Sequence, residues 1–271
     1  MSGPLHPTPP AGYAAAFVAS VLDDAMAHGS RVYGISGLQG SGKSTLAAQV
    51  AALAQSRGLD AAVLSIDDFY LTRNARRQLA REVQPLLATR GPPGTHDVAL
   101  ACTVIDALRQ GAACRLPRFD KVADDRLPPS QWPPAHAADL VILEGWFLKT
   151  PPQQEAELLA AINALERAED PDGAWRRYCN AALGRDYPAL WQRIDRLLCL
   201  QGPGFDVVPD WRWQQERALQ AANPTRSAMT RAQLERFVQH FERVSRQAWR
   251  TLPGVADWTV LLDADRRPTN F

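Results

Sequence analysis

Eight consecutive residues, Gly37-Leu38-Gln39-Gly40-Ser41-Gly42-Lys43-Ser44, fit the pattern GxxxxGK[ST] in full. Glycine permits dihedrals and close backbone approach that a Cβ forbids, so successive N–H groups converge on one concavity. A helix starting within the run adds its positive end to the same place. Such a cradle suits a polyphosphate. Lys43 can reach the β and γ phosphates, and the Ser44 hydroxyl can coordinate Mg²⁺. The expected nucleotide-binding set is therefore Gly37, Leu38, Gln39, Gly40, Ser41, Gly42, Lys43, Ser44 and Thr45, with ATP and Mg²⁺ as cofactors. The competing reading is a chance glycine-rich turn, and the apolar run before it and the helical pattern after it weigh against that.

Two acidic positions complete a phosphoryl-transfer site. One apolar run ends in Ser65-Ile66-Asp67-Asp68-Phe69-Tyr70, another in Leu143-Glu144-Gly145-Trp146. In a parallel sheet the strand C-termini gather on one edge, beside the phosphate loop, so both carboxylates face the nucleotide crevice. Transfer to an alcohol needs one carboxylate to accept the hydroxyl proton and another to hold Mg²⁺. Asp67 suits the base and Glu144 the metal. A helix N-cap is the structural alternative for Asp67 or Asp68, and it accounts for one of them more readily than for both.

These residues carry a family likeness. Asp67-Asp68-Phe69-Tyr70 resembles the DxFY signature of the uridine kinase and phosphoribulokinase group. Arg90-Gly91-Pro92-Pro93-Gly94-Thr95-His96-Asp97, Leu116-Pro117-Arg118-Phe119-Asp120-Lys121, Asp125-Arg126, Glu144-Gly145-Trp146 and Trp211-Arg212-Trp213-Gln214-Gln215-Glu216 resemble, in order, segments of the D-glycerate 3-kinase family. The likeness runs from about Arg31 to the last strand. It implies an α/β P-loop NTPase fold, a three-layer αβα arrangement with a parallel sheet of order 2-3-1-4-5 and a helical lid. It also implies a catalytic aspartate at Asp67, a metal carboxylate at Glu144, and acceptor contacts from Thr95, His96 and Asp97. Tyr70, Asp120 and Lys121 enter the acceptor set through the same motifs. Plant-type members carry Gly-Arg-Gly-Asp-Arg after the Phe-Asp-Lys equivalent, where this chain has Val122-Ala123-Asp124-Asp125-Arg126.

The activity this implies is conversion of D-glycerate to 3-phosphoglycerate. A small anionic acceptor needs a cation for its carboxylate and polar partners for its hydroxyls. Arg90 and Arg126 can supply the guanidinium fork, and Asp97 can accept from a hydroxyl. Capping of the next helix is the commoner fate for residues such as Thr95 and Asp97. Arg73, Arg77 and Arg81 share one helix face, which reads first as a solvated stripe. The segment before the helix at Arg231 occupies the lid position and contains Arg212, Arg217 and Arg226. Arg212 joins the catalytic set as a stabiliser of transferring charge. Trp211 and Trp213 read as packing.

A frame must hold these groups. Apolar runs predict strands at Arg31–Ser36, Ala61–Ile66, Asp139–Leu143, Ile194–Leu200 and Trp258–Leu262. Helical patterns fall at Ala11–His28, Leu46–Ser56, Thr72–Leu87, Val98–Arg109, Gln153–Arg167, Ala174–Leu183, Asp206–Ala222 and Arg231–Arg250. Leu116–Pro134, rich in Pro, Asp and Arg, reads as a long irregular loop. Strands alternating with helices predict a parallel sheet with right-handed crossovers. The chain reads as one domain, 1–271, with an N-terminal extension and helix at 1–30 and a lid at 202–230.

Composition narrows the partners. With 30 basic and 29 acidic residues among 271, the net charge of +1 offers no global attraction to nucleic acid or anionic lipid. The four cysteines form no CxxC pair and predict thiols in a reducing cytoplasm. Met1–Pro10 lacks the charged and apolar regions of a signal peptide, and no apolar run is long enough to span a membrane. The partners expected are ATP and a small-molecule acceptor, with no nucleic acid, no membrane and no particular oligomer indicated. A GTPase would carry an NKxD-type motif, and a transport ATPase an LSGGQ-like one; neither is present. A kinase for a nucleoside, pantothenate or a sugar phosphate is the closer rival, with a non-kinase P-loop NTPase behind it.

Overall fold

Six successive buried residues form β1 (Val32–Gly37), which runs straight into the glycine-rich loop. In the computed structural model, which describes residues 12–222 and 228–271, four further strands flank it: β2 (Ala61–Ser65), β3 (Leu140–Gly145), β4 (Arg196–Gln201) and β5 (Trp258–Leu261). All four pairings are parallel, and the order is β2-β3-β1-β4-β5, the order implied by the family likeness. A strand covered on both faces must be apolar throughout, and β3 is buried along its whole length.

Alternate residues of these strands face different helices. Tyr33, Ile35, Leu140, Ile142, Leu198 and Leu200 pack on α1 (Ala15–Ala27) and α2 (Lys43–Ser56). Val32, Val141, Leu143, Leu197 and Cys199 share the opposite core with α4 (Val98–Gln110) and α9 (Arg231–Thr251). The period of two in strand side chains thus builds a three-layer sandwich. Each fully buried Leu, Ile or Phe contributes roughly 1.5–3 kcal/mol, so Phe17, Val21 and Leu22 are enough to fix α1 to the sheet.

The other helices are α3 (Arg73–Glu82), α5 (Ala164–Glu169), α6 (Ala174–Arg185), α7 (Pro188–Trp191) and α8 (Val208–Ala222). Local chemistry moves several expected boundaries. The helix expected over Thr72–Leu87 stops at Glu82 and resumes as a 3-10 turn, Pro85–Ala88, because Pro85 lacks an N–H and bars its predecessor from helical backbone. Gln153–Arg167 is not one helix. A 3-10 turn at Glu155–Leu158 precedes α5, whose start is set by the Asn163 side chain accepting from Glu166 N. The long loop has structure of its own: Phe119–Asp120 pairs with Asp125–Arg126, and Cys114–Arg115 with Pro134–Ala135. No helix among the described residues is long and apolar enough to cross a membrane.

Candidate active site

The phosphate loop is held from behind. Gly40 and Gly42 have φ of 84° and 90°, the left-handed region where a side chain is strained. The Gly40 carbonyl accepts from Arg266 Nε at 2.6 Å, and the Ser41 carbonyl from the Tyr13 hydroxyl at 2.6 Å. A trans peptide sets C=O and N–H on opposite sides, so the bond to Tyr13 turns the Gly42 N–H away from Tyr13. α2 then begins at Lys43, three residues earlier than its apolar pattern indicates. Leu38 points its side chain into a core with Phe205, Val208 and Trp211, so only its backbone serves the loop, its carbonyl 3.4 Å from Lys43 Nζ.

One cleft of about 550 Å³ opens in front of the loop. Lys43, Ser44, Asp67, Tyr70, Glu144 and Arg212 all line it, with Arg90 and Lys121. The Ser44 hydroxyl donates to Glu144 Oε1 at 2.9 Å, which sets two hard oxygen donors side by side. Such donors fit Mg²⁺, which takes few protein ligands and completes its shell with water and phosphate oxygens. β2 and β3 are adjacent and paired Ser65 to Glu144, and that register brings Asp67 and Glu144 to one edge.

Both oxygens of Asp67 are engaged: Oδ1 accepts from the Tyr70 hydroxyl at 2.7 Å and Oδ2 from Lys121 Nζ at 2.7 Å. Desolvation pushes the Asp67 pKa up, but Lys121, Tyr70 and Lys43 outweigh it and hold the carboxyl well below the usual range. Asp67 is therefore ionised at neutral pH. Burial draws the Lys43 ammonium below its ordinary pKa, with Glu144 and Asp67 opposing. Neither Asp67 nor Asp68 is an N-cap side chain; Ser65 Oγ takes that role, accepting from Asp67 N at 3.3 Å. Asp68 instead holds the neighbouring hairpin, accepting from Phe119 N at 3.1 Å and Arg118 at 3.2 Å.

Other acceptor candidates have different tasks. Thr95 is buried, and its hydroxyl bonds Pro92 O at 2.7 Å and Gly91 N at 3.2 Å, so it shapes the turn instead of facing the cleft. Asp97 caps α4, accepting from Leu100 N at 3.1 Å, and pairs with Arg126 at 2.9 Å. Each neutralises the other, and neither lines the cleft. His96 lies beneath Tyr70 with ring centroids 4.6 Å apart, and its Nδ1 is 2.6 Å from the Tyr187 hydroxyl. Burial lowers its pKa to about 3, so the ring is neutral. Asp120 closes the hairpin turn, accepting from Val122 N at 2.8 Å and Ala123 N at 2.9 Å. Arg217 is exposed and away from the cleft, and Arg226 lies outside the described residues.

Of the arginine stripe, Arg77 and Arg81 are exposed, while Arg73 ties the hairpin through its backbone N–H to Asp125 at 2.8 Å. The consequential arginine on that helix is Arg76, fully buried and bonded to Ala88 O at 2.7 Å and Asp124 O at 2.6 Å. Sequence reasoning also missed that Phe237 and Phe241 join Trp146 in the aromatic wall of the cleft. The i, i+4 spacing of Phe237 and Phe241 marks a helix face but not what it covers. A second cavity of about 230 Å³ lies across the loop, lined by Tyr13, Gly40, Ser41, Gly42, Thr45, Gln214, Gln215 and Arg266.

Comparison with known proteins agrees with this geometry. No protein-family model matches the chain. It is 34% identical over 220 residues to the Schizosaccharomyces pombe protein named "Uncharacterized kinase mug58", covering 78% of each. It is 33% identical over 204 residues to the chloroplastic D-glycerate 3-kinase of Arabidopsis thaliana, covering 69% of this chain and 41% of that protein. Its fold superposes on the D-glycerate 3-kinase of Cryptococcus neoformans with a TM-score of 0.74, 26% identity, and coverage of 94% and 96%. The chain belongs to the D-glycerate 3-kinase-like family of P-loop kinases.

Proposed function

We propose that this kinase transfers the γ-phosphoryl group of ATP to a hydroxyl of D-glycerate, giving 3-phosphoglycerate. The observation that carries the reading is the gathering of four cations, Lys43, Arg90, Lys121 and Arg212, around Asp67 and Glu144 in one cleft. Lys43 and Arg212 suit a polyphosphate. Arg90 and Lys121, although paired with Asp124 and Asp67, line the same cleft, which Arg126 does not, and suit a carboxylate on the acceptor. Two relatives bearing the name D-glycerate 3-kinase support the choice of acceptor.

In this reading the loop and Lys43 bind the β and γ phosphates. Ser44 and Glu144 hold Mg²⁺, which when bound neutralises phosphate charge. The cavity beside Tyr13, Gln214, Gln215 and Arg266 receives the base and ribose. Asp67 accepts the proton of the attacking hydroxyl as its oxygen bonds to the γ phosphorus. The bond from that phosphorus to the β–γ bridging oxygen breaks, and ADP leaves. Tyr70, donating to the other Asp67 oxygen, fixes the carboxylate's orientation. Arg90, bound to Asp124 on one side and stacked between Phe119 and Phe237 with ring distances of 5.6 and 5.7 Å, is a rigid cation that lines the cleft for the acceptor carboxylate. Arg212 reaches the same cleft from α8, where it stabilises charge on the group in transit.

The test is the specificity constant for D-glycerate, glycerol, uridine and pantothenate with labelled ATP, in the wild type and Arg90→Ala. Preference for D-glycerate over glycerol, falling roughly a hundredfold in the variant, is the expected result. Turnover of a neutral acceptor with none of D-glycerate would remove this acceptor and leave the kinase.

A further inference from the structure

We propose that Lys121 guards the catalytic base: without acceptor its ammonium occupies the place on Asp67 that an attacking hydroxyl must take, and an anionic acceptor draws it away. The inference rests on Asp67 acting as the base. It adds a reason why the enzyme favours an anionic acceptor over a neutral one, and over water.

Each carboxylate oxygen can accept two hydrogen bonds, but an ammonium seated on one lowers its basicity and crowds the approach of a hydroxyl. The proton therefore passes readily only to an oxygen that such a partner has left. Oδ1 is held by Tyr70, a buried side chain packed between the rings of His96 and Phe119. That partner does not leave. Oδ2 is held by Lys121, whose side chain is 58% exposed. That partner is the one free to move, and Oδ2 is the entry point.

The movement belongs to the side chain, because the hairpin beneath it is fastened. Arg76 donates to Asp124 O at 2.6 Å and pairs with its carboxylate at 3.1 Å, Arg90 also binds that carboxylate, and Arg73 N holds Asp125 at 2.8 Å. Lys121 therefore stands on a fixed base and carries a flexible four-carbon stem to its ammonium. Leaving Oδ2 costs it an opposite charge, so it leaves readily only when another anion is offered nearby. An acceptor carboxylate held by Arg90 offers one, since Arg90 Nη2 lies 3.4 Å from the Lys121 carbonyl oxygen and lines the same cleft. The γ phosphate, engaged by Lys43 and Arg212, is present with every acceptor, so the acceptor's own carboxylate is the added counter-charge; glycerol and water bring none and leave the pair closed.

Once the pair opens, the acceptor proton passes to Oδ2, the acceptor oxygen bonds to the γ phosphorus, and ADP departs with the electrons of the broken bond. With water as attacker the same bonds change and the products are ADP and phosphate. The guard suppresses that second course.

The experiment compares acceptor-independent ATP hydrolysis with transfer to D-glycerate and to glycerol in the wild type, Lys121→Met and Lys121→Arg. Circular dichroism checks the fold of each. Lys121→Met is expected to raise hydrolysis about tenfold and to lower the D-glycerate-to-glycerol preference about tenfold, a fraction of the effect of a whole general base. Lys121→Arg, which keeps a cation for Oδ2, should raise hydrolysis clearly less than Lys121→Met does. Adding Asp67→Asn to Lys121→Met should return hydrolysis to the wild-type rate or below. Hydrolysis unchanged or reduced in Lys121→Met overturns the proposal, as does raised hydrolysis that persists without Asp67. If the wild type used neither acceptor, the D-glycerate assignment would fall and the hydrolysis measurements would still decide the role of Lys121.

Discussion

Asp67 and Glu144 end neighbouring strands, yet their surroundings differ. Asp67 is bonded to a phenol and an ammonium, whereas Glu144 is bonded to the Ser44 hydroxyl of the phosphate loop. That difference separates their variants. Asp67→Asn should lower kcat by roughly two to four orders of magnitude with little change in KM for ATP, the scale of losing a general base. Glu144→Gln should raise the Mg²⁺ concentration for half-maximal rate and leave ample turnover at saturating metal. Steady-state kinetics at varied Mg²⁺ distinguish the two, and exchanged phenotypes would reverse the assigned roles. Both residues were legible in the sequence because each directly follows an apolar run, and the chain's direction alone brings strand ends to the cleft. Asp97 and Arg126 were not, because what removes them from the cleft is their pairing with each other across 29 positions. A single sequence gives residue types, not which opposite charges have already neutralised one another.

At the scale of elements, the start of α8 is fastened to the phosphate loop. Trp211 on α8 is buried, donates from Nε1 to Ala264 O at 2.8 Å, and lies under the Arg266 guanidinium at 4.9 Å. A Cβ on Gly40 would lie 2.6 Å from the Trp211 Cβ, too close for any pair of carbon atoms. Glycine at 40 thus serves the contact with α8 as well as the loop's left-handed backbone. Gly40→Ala should raise KM for ATP at least tenfold, since relieving the clash must shift the loop or the helix, and left-handed backbone adds about 1–2 kcal/mol of strain. Nucleotide titration and thermal unfolding check this, and an unchanged KM would show that α8 yields freely. Strands were legible here because burial on both faces demands unbroken apolar runs. The join between α8 and the loop was not: Trp211 reads as ordinary packing, and its partners Ala264 and Arg266 stand more than fifty residues away. Element ends followed local chemistry that the periodic pattern hides, as at Pro85 and Asn163.

At the scale of the molecule, a core on either side of the sheet was foreseeable from unbroken apolar strands, which need cover on both faces, and the buried polar groups between elements were not. Two of those groups govern the response to acid. Burial lowers the pKa of His96 to about 3 and of His240 to about 4, against an ordinary value of 6.5. The unfolded chain therefore binds protons between pH 6.5 and those values while the folded protein does not, so stability rises with pH across that window. The stabilisation is fully present above pH 6.5 and is lost on acidification. Each histidine should remove about 2 kcal/mol by pH 5, and the pair about 4 kcal/mol. For a chain of this size that corresponds to a fall in Tm of roughly 8–16 °C. The carboxylates held low by cationic partners, Asp24, Asp67 and Asp106 among them, lose their contribution at lower pH still. Asp68 works the other way, since burial raises its pKa and protonation relieves it. Thermal unfolding between pH 7 and 5 should show the decline, and His240→Asn should remove about half of it while leaving the Asp67 cleft untouched. A Tm independent of pH over that range, or an unchanged slope in the variant, would mean that these rings take up protons without opening the core.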